Sequence, residues 1–127
     1  MTMPHSKEVD VSIVIPTLNE EKNIVACLKA LHAQEFTGTL EIIIADGNSE
    51  DKTVALAKPL ADKIVIEKRR SIAFERQAGA AVARGKIVAF TDCDSLAPRD
   101  WVQKIHEAFE RDPELSMIYG PVFYSDV

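Results

Sequence analysis

Short apolar runs alternate with amphipathic stretches along the whole chain. Val11 to Ile15 is apolar except at Ser12, and Pro16 stops it, which predicts a strand. Glu21 to Gln34 carries Ile24, Cys27, Leu28 and Leu31 at spacings of three and four, the stripe of an amphipathic helix. Leu40 to Ala45 is nearly all apolar and breaks at Asp46-Gly47-Asn48, predicting a second strand. Glu50 to Lys58 reads as a short helix, with Asn48 or Ser49 placed to cap it and acids in its first turn. Ile64 to Ile66 reads as a third strand and Ser71 to Arg84 as a third helix, which Gly85 is placed to end as a left-handed cap. Ile87 to Phe90 is the fourth strand. A fourth helix is expected from Pro98, a residue suited to a first turn, with Trp101, Val102, Ile105, Ala108 and Phe109 as its buried stripe. Asp112-Pro113 ends it, and Leu115 to Tyr119 reads as a fifth strand.

Strand and helix therefore alternate from end to end. Strands that are continuous apolar runs are buried on both faces. The expected fold is α/β, a Rossmann-like and mostly parallel sheet with helices on both faces. The common strand order of such sheets begins 3-2-1-4, which sets the first and fourth strands side by side where the winding reverses. Ligands bind there, beyond the carboxyl ends of the strands. Chemistry is thus expected after Ile15, after Ala45 and after Phe90.

Composition narrows the picture. The 127 residues make one domain, 1–127, with 1–9 expected to be flexible, and a 46% hydrophobic content supports a core. The net charge of −5 lacks the Lys and Arg surplus of a nucleic-acid protein. Cys27 and Cys93 form no Cys-x-x-Cys and have no paired His, so a disulfide scaffold and a zinc site are disfavoured and a reduced, cytoplasmic setting fits. The longest apolar runs are about five residues against the ~20 of a membrane span, although docking at the inner face of a membrane stays open.

The three strand ends are polar or acidic. Pro16-Thr17-Leu18-Asn19-Glu20 follows the first, Asp46-Gly47-Asn48-Ser49 the second, and Thr91-Asp92-Cys93-Asp94-Ser95 the fourth. No Gly-x-Gly-x-x-Gly follows the first strand and no P-loop exists, which removes the two familiar phosphate cradles. Asp92 and Asp94 would repel a phosphate unless a divalent cation lay between them, and hard oxygen ligands with substrate phosphates suit Mg²⁺ or Mn²⁺. Asp46, one strand over, is able to accept hydrogen bonds from a base or ribose. Plainer readings stand beside these. Thr17 to Glu20 matches a helix capping box, Asp46-Gly47 matches a simple turn, and an isolated Asp-x-Asp is a weak signal. Cys93 reads as a small packed residue, and His5, His32 and His106 as scattered surface histidines. Gly79 inside a helix points to a close approach, to the sheet or to a ligand. Arg76 is either a surface arginine or a cation for the phosphate site, and Lys68, Arg69 and Arg70 either a solvated loop or a face toward a diphosphate.

Taken together, Ser12 to Glu20, Ile42 to Ser49, Arg76-Gln77-Ala78-Gly79 and Val88 to Asp94 resemble the family 2 glycosyltransferases of GT-A fold. The resemblance runs over nearly the whole chain and departs at Gln77, where the family usually has Asn. It implies that Pro16, Thr17 and Glu20 line a nucleotide pocket and that Asp46 contacts the base. Arg76 would lie near the base or diphosphate, Asp92 at the ribose or metal shell, and Asp94 on a Mn²⁺ or Mg²⁺ bridging the diphosphate. The donor would be a UDP- or GDP-type sugar, the acceptor a glycan, lipid or small molecule, and the transfer metal-assisted with inversion. Family members continue well past the fifth strand with an acceptor pocket and a catalytic base. The chain therefore resembles the donor-binding portion, and the resemblance puts the catalytic base beyond Val127. A non-catalytic nucleotide-sugar-binding module is the alternative. An open sheet edge left by such a truncation would favour homo-oligomers. Pro16-Thr17 and Glu67-Lys68 stand where a response regulator would need its acids, which removes that class.

Overall fold

The structure, a computed structural model, describes residues 8–112. Four strands, β1 (Val9–Thr17), β2 (Leu40–Asp46), β3 (Lys63–Ile66) and β4 (Gly85–Phe90), alternate with four helices, α1 (Ile24–His32), α2 (Thr53–Ala57), α3 (Ile72–Val82) and α4 (Trp101–Arg111). The strands form one parallel sheet in the order β3-β2-β1-β4. This is the order expected of continuous apolar strands joined by helical crossovers. The fifth strand expected over Leu115 to Tyr119 lies outside the described residues.

Burial explains the order. Val11, Ile13, Val14 and Ile15 of β1 and Ile43, Ile44 and Ala45 of β2 are fully inaccessible, as central strands covered on both faces must be. One face packs on α1 through Ile24, Cys27, Leu28 and Leu31, with Ala57 of α2 and Val102 of α4 joining the same core. The other face, Val14, Ile43 and Ala45, is covered by α3, with Val82 against it. Each buried Ile, Leu or Val contributes about 1.5–3 kcal/mol of transfer free energy. The expected stripe of α4 is buried fully only at Val102. Along β4, the last strand of the sheet among the described residues, the pattern alternates, leaving Val88 and Phe90 exposed.

Gly79 brings α3 onto the sheet. A Cβ there would collide with the Val14 side chain and crowd Ala45. Of the two approaches expected for Gly79, the sheet is the one observed. Ser12 is buried in the middle of β1 because it is satisfied. Its hydroxyl donates to Glu41 Oε1 at 2.7 Å and accepts the Gly85 N–H at 2.8 Å. Glu41 also takes the Arg84 N–H at 2.9 Å and pairs with Lys63 Nζ at 2.9 Å.

Several local expectations are corrected. Gly85 has no positive φ and opens β4, and α3 ends instead at Ala83 in extended backbone. Neither Asn48 nor Ser49 caps α2, whose N-cap residue is Lys52. Asn48 sits at φ 67° inside the preceding turn. Val9, within the stretch expected to be flexible, begins β1 at 7% exposure, and residues 1–7 lie outside the described residues. Among the described residues no helix is long and apolar enough to cross a membrane.

Candidate functional site

The parallel register places Thr17 directly opposite Asp46 at the carboxyl ends of β1 and β2. The Thr17 hydroxyl donates to Asp46 Oδ1 at 2.6 Å. Ser49 completes the cage, its N–H donating to Asp46 Oδ2 at 2.6 Å and its hydroxyl to Oδ1 at 2.7 Å. The capping box read from Thr17 and Glu20 is therefore not formed, because a partner distant in sequence takes the hydroxyl. Asn19 turns the chain at φ 53°, accepts the Glu50 N–H at 2.9 Å and donates its own N–H to Ser49 Oγ at 2.8 Å. Glu20 N–H donates to Thr53 Oγ1 at 2.8 Å. The β1–α1 and β2–α2 loops are thus latched to each other along their length.

Beside this latch, at the ends of β1 and β4, opens a pocket of about 370 Å³. Its walls are Pro16, Thr17, Leu18 and Glu20 from β1 and the turn after it, and Asp92, Cys93 and Asp94 after β4. Arg70, Ile72 and Glu75 close it from the β3–α3 side. The position is the winding reversal anticipated for this sheet order. Of the residues singled out in the sequence, Pro16, Thr17, Glu20, Asp92 and Asp94 meet in this one pocket. Asp46 stands behind Thr17, fully buried, with both carboxylate oxygens occupied, and is not on the pocket surface. Arg76 is also off the lining, but its guanidinium reaches Asp92 at 3.8 Å and lies 5.9 Å from the Phe90 ring centre. The catalytic base, expected beyond Val127, lies outside the described residues, and no residue of this pocket is assigned that role.

The basic cluster divides. Arg69 is held by Glu67 through two hydrogen bonds, of 3.0 and 2.8 Å, and stacks on Phe74. These bonds from Arg69 hold the Glu67 carboxyl down to about 2. Arg70 turns the other way, donating to Gly47 O at 3.2 Å and Asn48 O at 2.9 Å, and reaches the pocket. Cys93 is buried against Cys27, and that contact, with burial, pushes its thiol pKa up. It is a packing residue, as its sequence context suggested. His32 bonds Leu60 O at 2.7 Å, while His106 is half-buried, edge-on to Phe36, rather than on the surface.

Glu75 was not singled out in the sequence. It is 3% exposed, faces the sheet one turn before Gly79, and packs against Gly47, where a Cβ would meet its carboxyl. Burial raises its pKa, and the neighbouring Asp46 and Glu67 raise it further. The signal was its i, i+4 spacing from a glycine that must face the sheet.

The donor set after β4 suits a divalent cation. Asp92 and Asp94 are exposed hard carboxylates, and Asp94 has no hydrogen bond or ion pair among the described residues. Among those residues no three His, Cys, Asp or Glu side chains gather closely enough to hold a metal alone. One or two carboxylates completed by substrate phosphates is the usual Mg²⁺ arrangement.

The model of glycosyl transferase family 2 matches residues 12–127. The uncharacterized glycosyltransferase YfnE of Bacillus subtilis is 35% identical over 109 residues, covering 82% of this chain and 28% of that protein. The mannosyltransferase PcManGT from Pyrobaculum calidifontis, solved in complex with GDP-Man and Mn²⁺, is 30% identical with a TM-score of 0.69, over 76% of this chain and 31% of that one. The S. aureus TarS 1-349 structure is 22% identical with a TM-score of 0.72, over 81% of this chain and 33% of that one, and shares the fold. The chain spans about a third of the length of the relatives it matches.

Proposed function

The chain belongs to glycosyl transferase family 2, and on that premise we propose that it forms the donor-binding portion of an enzyme that transfers a sugar from a nucleotide-diphosphate sugar to an acceptor hydroxyl, with inversion. One observation carries the reading: Thr17 and Glu20, from the end of β1 and the turn after it, and Asp92 and Asp94, after β4, wall a single pocket at the junction of the two strands. The GDP-Man and Mn²⁺ in the related mannosyltransferase support a donor and a divalent cation of the same kinds here.

The roles follow from placement. Pro16, Thr17 and Leu18 form the wall for the nucleoside. Asp46 acts on that wall from behind, by fixing Thr17 and the Ser49 turn. Asp94, with Asp92, would hold Mn²⁺ or Mg²⁺ against the diphosphate. Such an ion neutralises phosphate charge and assists its departure as a Lewis acid. Arg76 orients Asp92 through their ion pair and adds positive charge on the leaving-group side. Arg70 pins the Gly47-Asn48 turn that backs the site.

Calorimetric titration with UDP and GDP, with and without Mn²⁺, tests the reading directly. Metal-dependent binding of a nucleoside diphosphate is expected. Failure of every diphosphate to bind in either condition refutes it. Parallel assays of sugar transfer and donor hydrolysis separate a catalytic portion from a module that only binds.

A further inference from the structure

We propose that Glu75 reads the nucleobase of the donor and selects guanine; the inference rests on the nucleotide-sugar reading above and deepens it.

Glu75 is only 3% exposed, yet it lies on the pocket wall. Among the described residues no hydrogen-bond donor reaches its carboxyl, and its backbone N–H donates to Ser71 O. Its charged neighbours Asp46 and Glu67 have its own sign. Arg70, the nearby cation on the lining, is engaged by Gly47 O, Asn48 O and Glu50. Buried polar groups are normally paired, and one left unpaired is costly. A carboxyl kept in this condition at the wall of a ligand pocket is answered by donors on the ligand.

A metal ion is not the answer here, since the cation is assigned to the exposed carboxylates Asp92 and Asp94 after β4, and Glu75 is not one of that pair. The diphosphate is also wrong, being an anion. The base remains. A carboxylate offers two adjacent acceptors and no donor. Guanine alone among the common bases presents two adjacent donors, N1–H and the 2-amino group. Uracil offers one N–H between two carbonyl oxygens, which a carboxylate repels. Adenine and cytosine each set an amino group beside a bare ring nitrogen. Asp46 is excluded from the role because Thr17 and Ser49 already fill both its oxygens.

The test titrates the chain with GDP, UDP, ADP and CDP in the presence of Mn²⁺, and repeats the series with Glu75→Gln and Glu75→Ala. The native chain should favour GDP over UDP by on the order of tenfold or more, the discrimination of a good bidentate pair. Glu75→Gln presents one acceptor and one donor, so GDP should weaken by a similar factor and UDP should gain. Glu75→Ala should bind all four without preference. Thermal melting gives a second readout. Glu75→Gln keeps the shape and removes a buried like charge, so its midpoint should rise. A native preference for UDP, equal binding of all four, or an unchanged preference in Glu75→Gln overturns the inference while leaving the donor reading standing. A lowered midpoint in Glu75→Gln overturns the claim that the carboxyl lacks a partner. Absence of binding by all four overturns both readings.

Discussion

Thr17 and Asp46, 29 residues apart in sequence, share a buried 2.6 Å hydrogen bond because parallel pairing sets the last residues of β1 and β2 side by side. One bond thereby ties the pocket wall to the turn behind it.

Replacing Thr17 by Val keeps the shape and deletes the hydroxyl. A charged buried acceptor then loses one of its three donors, which should destabilise the fold by about 1.5–3 kcal/mol. Urea unfolding measures this. Diphosphate affinity should fall with it, because the β1–α1 wall loses its anchor. A variant as stable as the native chain would show that the bond contributes nothing.

Asp94→Ala should behave in the opposite way. Its side chain is exposed and has no hydrogen bond or ion pair among the described residues, so stability should change by no more than about 0.5 kcal/mol. Mn²⁺-dependent binding of nucleoside diphosphates should be lost. Calorimetry with and without Mn²⁺ decides it, and undiminished metal-dependent affinity removes Asp94 from the metal site.

Gly79→Ala should destabilise by about 1–3 kcal/mol, the range for an added group in a packed core. The new Cβ meets Val14, which is fully buried and has nowhere to move. Alanine is otherwise the better helix residue. An increase in the thermal midpoint would mean that helix propensity wins and that the contact is looser than described.

Glu41 predicts an acid limb. Burial opposes its charge, but the Arg84 N–H, the Ser12 hydroxyl and Lys63 outweigh burial, and the pKa lies below the ordinary value. The folded state therefore binds this proton less readily than the unfolded chain. Its stabilisation is whole above the unfolded pKa of about 4.3 and is lost as pH falls through the lower folded value. Glu41→Gln should flatten that part of the stability profile below about pH 5, measured by urea midpoints across pH. An unchanged slope assigns the acid sensitivity elsewhere.

The sheet order was legible because β1 and β2 are unbroken apolar runs and parallel strands with helical crossovers admit few arrangements. The pocket position followed from that order. What local pattern misled was partnership. Thr17 and Glu20 have capping-box spacing, yet the hydroxyl finds Asp46 across the sheet. Gly85 follows a helix, yet the strand pairing with Val9 claims it. Glu75 escaped notice because a glutamate on a helix is ordinarily solvated. Its i, i+4 spacing from Gly79 was the one hint that its position faces inward. Arg69 and Arg70 are neighbours in sequence with opposite fates, settled by which carboxylate or carbonyl each one meets.

Glu75 and Gly79 stand one turn apart on the same side of α3, and a bare hydrogen at 79 lets that helix settle fully onto Val14 and Ala45. The height at which Glu75 stands over Gly47 is consequently gauged from outside the cavity. Chains differing only at position 79 would surround a guest with identical chemistry and offer it from different depths.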